Sequence, residues 1–167
     1  MLKYVAPLIA VDEIARSRSF YEQLLGQRVK FDFGENVVFE GDFSIHLKPH
    51  FQSLLGEATQ YPVTRKAHWG EMYFETDDLA SFQQRLEQAG VEFIHPVHEQ
   101  PWGQRVMRVY DPDGHIVELG ETMEAVVWRF HQQGLAIERI SERSGMSGEF
   151  IEQAIRERSE PGQPDGG

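Results

Sequence analysis

The sequence predicts an α+β fold in which a β-α-β-β-β unit occurs twice in tandem, with a helical segment appended. Three observations carry this prediction. Short apolar runs of period two are punctuated by Gly, Pro and Asp, and each set contains one amphipathic helical run. The order strand, helix, strand, strand, strand then recurs about 64 to 65 residues downstream, and repetition of a supersecondary unit says more than any single element. Finally, from Thr122 onward the period changes from two to about 3.6.

In the first unit, residues 1–49, YVAPLIAV reads as a strand. Asp12 is placed to cap a helix in which Ile14, Phe20, Leu24 and Leu25 share a face, and Gly26 stops it. RVKFDF, NVVFE and FSIHLK follow as short strands separated by Gly34 and by Gly41-Asp42, the pattern of an antiparallel meander. Residues 50–67 have no sustained period and form a connector, with one helical turn expected at 51–55; it is either a linker or a loop over a cavity mouth.

The second unit, residues 68–121, begins with WGEMYFET. Asp77 or Asp78 caps LASFQQRLEQAG, Gly90 ends it, and VEFIHP, QRVMRVY and HIVELGE follow as strands. Between the last two, Asp111-Pro112-Asp113-Gly114 has a turn former at every position, with Pro presetting φ and Gly accepting positive φ.

Residues 122–158 form a helical extension. TMEAVVWRFHQQG places Ala125, Val126 and Phe130 at helical spacing, and two more short helices flank Gly145-Met146-Ser147. The arrangement looks like a helix-turn-helix, but between Glu121 and Glu160 eight acids face five bases, whereas a phosphate-tracking element should be basic. A helical hairpin packed on the body or on a partner subunit is expected instead. SEPGQPDGG, residues 159–167, reads as a disordered tail.

Composition sets the outer limits. At 167 residues and 40% hydrophobic, the chain suits one domain or two small modules sharing a core. It has no cysteine, which excludes disulfides, thiolate metal sites and cysteine nucleophiles. The net charge of −11 disfavours nucleic acid and favours either cationic ligands or plain solubility. The apolar run at 4–11 lacks a cleavage signal and no run approaches the ~20 residues of a membrane span, so a cytoplasmic protein is expected.

VDEIARSRSFYEQLLG in the first unit, PWGQRVMRVYDPDGHIVELGE in the second, and the spacing between them resemble the vicinal oxygen chelate superfamily. That superfamily includes glyoxalase, bleomycin-resistance proteins, fosfomycin-resistance enzymes, extradiol dioxygenases and methylmalonyl-CoA epimerase. The resemblance covers residues 1–121. It implies a cupped mixed sheet with helices outside, ligand space inside, homodimers, and metal ligands on the first and last strands of each unit. Those positions fall here on Ala6, His46, Glu71 and Glu118. Strand alternation points all four into the cup: Val117 and Leu119 go to the helix side and leave Glu118 inward, and Phe43, Ile45 and Leu47 do the same for His46.

Two functions are compatible with these residues. In the first, His46, Glu71 and Glu118 hold a divalent metal (Mn, Fe, Zn or Ni) that chelates a small oxygen-bearing substrate for a lyase, isomerase or dioxygenase, with Glu118 or Glu71 moving a proton. In the second, a metal-free bleomycin-resistance-type protein binds a cationic aromatic ligand between acidic and aromatic walls. Ala6, which carries no donor, and the chain's acidity favour the second, whereas the set of one His and two carboxylates favours the first, which is the reading expected here. Tyr73 and Trp102 serve either as pocket lining or as core, and Arg105 either anchors an anionic group of the substrate or makes an ordinary ion pair.

Overall fold

The computed structural model describes residues 5–55 and 63–159. Parts of the connector and of the tail expected above, residues 56–62 and 160–167, lie outside the described residues, as does the start of the first expected strand. In chain order the elements are β1 (Leu8–Val11), α1 (Ile14–Arg18) continuing into a π-helical turn (Ser19–Leu24), β2 (Val29–Asp32), β3 (Asn36–Phe39), β4 (Ser44–Leu47), α2 (Lys48–Leu54), β5 (Glu71–Glu75), α3 (Leu79–Gln88), β6 (Phe93–Glu99), β7 (Arg105–Tyr110), β8 (Ile116–Gly120), α4 (Met123–Gln132), α5 (Ile137–Ser144) and α6 (Gly148–Ser159). The strands form two four-stranded sheets, ordered β1-β4-β3-β2 and β5-β8-β7-β6. Each sheet thus has its unit's first and last strands as neighbours, and the repeat read from the sequence is a repeat of topology.

Packing divides the chain into two compact units. The first holds the described residues of Met1–Met72, Gln84–Phe93 and Val109–Val117; the second holds those of Tyr73–Gln83, Ile94–Arg108 and Glu118–Gly167.

In the first unit β1 runs parallel to β4, with Ala10 opposite His46, and β3 runs antiparallel to it, with Asn36 opposite His46. One face of this sheet is dry: Val11, Val37, Phe39 and Ile45 are fully buried together with Tyr21, and Phe20, Leu25 and Phe43 nearly so. Phe39 stacks on Phe43 at 4.6 Å, and Tyr21 meets Phe43 at 5.3 Å. Each of these side chains contributes about 2–3 kcal/mol by burial. The π-helical turn, in which the Leu25 N–H reaches back to Phe20 O, widens the helix enough to bury the adjacent Phe20 and Tyr21 together.

Asp12 does not cap α1. The cap residue is Glu13, without a side-chain bond, while the Asp12 carboxylate binds Lys48 and Arg65. The 111–114 turn instead ties down the start of α1 through the Asp12 N–H and two side chains of the helix. Asp113, buried, accepts from the Asp12 N–H at 3.0 Å, from Arg16 at 2.8 Å and from the Ser17 hydroxyl at 3.0 Å. Asp111, also buried, accepts from the Tyr21 hydroxyl at 2.9 Å and from the backbone N–H groups of Asp113 and His115. Burial pushes the Asp111 carboxyl and the Tyr21 phenol up, and each leaves the other the partner it needs. The turn motif is therefore also a clasp on α1.

In the second unit the expected helical hairpin is a three-helix cluster. Thr122 caps α4 by accepting from the Ala125 N–H, Gly145 ends α5 at φ 74°, and the Ser147 hydroxyl accepts from Phe150 N–H at the start of α6. Val126, Val127, Phe130, Ile140, Ile151 and Ala154 make its core. Among the described residues no helix is long and apolar enough to cross a membrane.

Candidate functional site

The polar residues that converge in the second unit start from β7 and β8. The bonds Asp111 N–H to His115 O and Glu121 N–H to Arg105 O set the antiparallel register and put Arg108 directly opposite Glu118. Glu118 is buried, and the Arg108 guanidinium pairs with its carboxylate. A second nitrogen of Arg108 faces His95 Nε2 at 3.4 Å. His95 Nδ1 in turn lies 2.9 Å from Pro96 O and 3.0 Å from His98 Nδ1. Arg108 is thus held from both sides.

Beside this pair lies a second network with every proton assigned by its partners. Gln104, buried, accepts from Trp102 Nε1 at 3.1 Å and donates to Glu121 O at 2.8 Å; the indole can only donate and the carbonyl can only accept, which fixes the amide orientation. Its remaining N–H goes to the Tyr73 hydroxyl at 2.7 Å, and that hydroxyl donates to Glu75 at 2.8 Å. Burial of the hydroxyl end and its bond to Glu75 push the Tyr73 phenol up to about 12, so it is a neutral donor at physiological pH. Tyr73 and Trp102 remain 47% and 43% exposed as residues, two aromatic side chains bridged by one amide. Gly120 makes room for this: a Cβ there would stand 3.0 Å from Gln104 Nε2 and 3.2 Å from the Tyr73 hydroxyl.

His46, Glu71, Ala6 and Arg105 were also expected at the site. His46 is buried in the first unit, and its Nε2 meets His50 Nδ1 at 2.8 Å, with Glu35 3.4 Å from the same His50 nitrogen. Burial, then the neighbouring His50, lowers the His46 pKa. His46 Nδ1 is buried and has no hydrogen-bond partner among the described residues. Glu71 opens β5 and is exposed. Ala6 precedes β1 rather than lying on it, because the pairing with β4 begins only at Leu8. Arg105 faces Glu121 across the ladder, one residue out of phase with Glu118, and forms a 3.8 Å ion pair with Glu99. By strand parity Arg105 and Arg108 therefore lie on opposite faces of β7.

These positions decide how well a metal fits. The orphaned His46 Nδ1 could serve as a ligand, but Ala6 has no donor atom and Glu118 already neutralises a guanidinium. Among the described residues no group of three or more His, Asp or Glu side chains is arranged to hold a metal ion. Within the second unit, the Glu118 carboxylate is taken by Arg108 rather than left open for a cation. Sequence reasoning missed Arg108, Gln104 and Glu75. Counting residues outward from the 111–114 turn would have found Arg108, since a paired Asp111 and His115 bring 108 opposite 118.

Comparison with known proteins agrees with this architecture. A family model described as a glyoxalase-like domain matches residues 4–124. A crystal structure of a protein of unknown function from Agrobacterium tumefaciens str. C58 is 37% identical, covers 73% of this chain and 95% of its own, and superposes with a TM-score of 0.65. A glyoxalase-related enzyme from Fulvimarina pelagi, at 23% identity and TM-score 0.62, covers 73% of this chain and 90% of its own. The fosfomycin resistance protein FosX from Mesorhizobium loti, at 17% identity and TM-score 0.52, covers 73% and 93%. The last two show the fold alone. The comparison with curated proteins gives no match.

Proposed function

This chain belongs to the glyoxalase-like family, and on that premise we propose that it is a metal-independent binding protein for a planar, cationic organic molecule. The observation that carries the reading is the Arg108–Glu118 pair: the carboxylate at the last-strand ligand position is already compensated by an internal cation. Beside it, Tyr73 and Trp102 are half-exposed aromatic residues, and Glu75, exposed and tied to the Tyr73 hydroxyl, supplies a negative charge at their edge. Aromatic faces beside a carboxylate suit a delocalised cation, which stacks on the rings while its charge is offset. The chain's net charge of −11 attracts the same class of ligand at a distance.

No bond needs to be made or broken in this reading. Tyr73 is held as a neutral donor and Gln104 as a fixed bridge, an arrangement that orients a ligand without moving a proton. A homodimer and a cytoplasmic location belong to the same proposal; the exposed Phe31 and Phe33, stacked at 6.1 Å on the first sheet, suit a surface covered in an assembly.

Binding of proflavine, a planar cation, followed by fluorescence and set against 2-naphthoate, a planar anion, tests the reading. Proflavine should bind the tighter of the two, and Glu75→Gln and Trp102→Ala should each weaken it about five- to tenfold. Equal or tighter binding of naphthoate, or proflavine affinity untouched by both substitutions, would contradict it.

A further inference from the structure

The residues of the aromatic face do not hold themselves in place. Trp102 and Gln104 lie in the link between β6 and β7, where the Gly103 N–H bonds to Gln100 O and the Gln100 N–H to Gln104 O. Gly103 has φ 90°, and a Cβ on it would fall 2.2 Å from the Phe130 ring of α4, so ring and glycine backbone are in direct contact. Phe130 is fully buried in the core of the three-helix cluster. Arg129, its neighbour, donates to Gly103 O at 2.5 Å, to Glu121 at 2.8 Å and to Glu99 at 3.1 Å. Arg143 of α5 also pairs with Glu99, and its guanidinium lies 4.4 Å from the Phe130 ring. The C-terminal helices therefore grip both ends of the 99–104 link, the segment that carries Trp102 and Gln104.

All but the first residues of this extension lie beyond the matched family domain, which ends at residue 124. We propose that the extension is the positioning element of the aromatic face: Phe130 and Arg129 fix the 99–104 link so that Trp102 and Gln104 stand ready beside Tyr73, and thereby set the affinity for a planar ligand. The ligand part of this statement rests on the function proposed above; the positioning part does not. Arg129 and Phe130 are positioning residues, since neither reaches the exposed ring surfaces. Their effect is preorganisation, which lowers the ordering cost that the ligand would otherwise meet.

The test uses the full chain and two variants. Arg129→Gln removes the bonds to Gly103, Glu121 and Glu99 while sparing the apolar core, and Arg143→Gln, at a partly exposed position, removes the pair with Glu99 and the guanidinium over the Phe130 ring but no bond to Gly103 or Glu121. The first readout is the Trp102 indole N–H resonance, assigned by its loss in Trp102→Phe, because that proton is bonded to Gln104. We expect it to shift and exchange faster with solvent in Arg129→Gln, and to do so more weakly in Arg143→Gln, with the Trp69 indole unmoved. The second readout is proflavine affinity, expected to fall about fivefold in Arg129→Gln. A Trp102 indole unchanged in Arg143→Gln would overturn the positioning role, even where Arg129→Gln fails to fold. So would an indole unchanged in a folded Arg129→Gln. A wild-type chain that ignores proflavine while its indole still responds would sink the ligand reading and keep the positioning role.

Discussion

Removing Arg108 isolates the ion pair on which the functional reading turns. In Arg108→Met the Glu118 carboxylate, 9% exposed, loses the cation directly opposite it. An uncompensated buried charge costs about 3–5 kcal/mol when water is fully excluded. The Arg108 side chain is 26% exposed, so its removal admits some water and the cost should fall to about 2–3 kcal/mol. For a chain of this size each kcal/mol moves the melting temperature by about 2–4 °C, which gives a loss of about 4–12 °C. The double variant Arg108→Met with Glu118→Leu removes both charges from a mostly buried site and should recover most of the loss, because an apolar pair of similar volume is tolerated there. Urea unfolding of the wild type, both single variants and the double variant closes the cycle. If Arg108→Met stays within about 0.5 kcal/mol of wild type, or the two single effects simply add, Glu118 does not depend on Arg108 and the reasoning fails.

Three further outcomes follow from the same structure. His46 has a lowered pKa, so below its ordinary value of 6.5 the unfolded chain binds more protons than the folded one, and stability should fall as the pH drops through that region. His46→Phe should flatten this part of the stability profile measured by urea titration, and an unchanged slope would count against the burial described for His46. Asp113→Ala removes the acceptor of the Asp12 N–H, Arg16 and Ser17 together, and should cost about 2–4 kcal/mol in the same assay; a cost near zero would show that the turn does not clasp α1. Gly120→Ala would press a methyl group against Gln104 and Tyr73, and should weaken proflavine binding severalfold at a stability cost of about 1 kcal/mol, whereas unchanged affinity would detach Gly120 from the aromatic face.

Much of the fold was legible because local chemistry and tertiary structure agree. Alternation in NVVFE and FSIHLK, the stop at Gly90 and the 111–114 turn each name an element that the structure contains, and the repeat of their order corresponds to two sheets of one topology. Departures occur where a distant partner outbids a local one. Asp12 has the chemistry of a cap, but Lys48 and Arg65 take its carboxylate and Asp113 serves the helix instead. The expected turn at 51–55 is a helix that starts directly after β4, at Lys48, with Pro49 in its first turn. The site was less legible because it depends on register. Parity along β8 identified the direction of Glu118, but its neighbour across the ladder depends on how β7 aligns, and an Arg105 placed one residue out of phase conceals Arg108. Gln104 and Glu75 carry no motif; their roles exist only once Tyr73 and Trp102 are brought to either side of one amide.

The central claim, that the acidic positions of this fold serve an organic ligand rather than a metal, is tested most directly by elemental analysis of the purified chain after dialysis against Mn, Fe, Ni and Zn in turn. The account predicts no stoichiometric metal with any of the four. About one metal ion per chain, lost in both Glu118→Gln and His46→Ala, would contradict it.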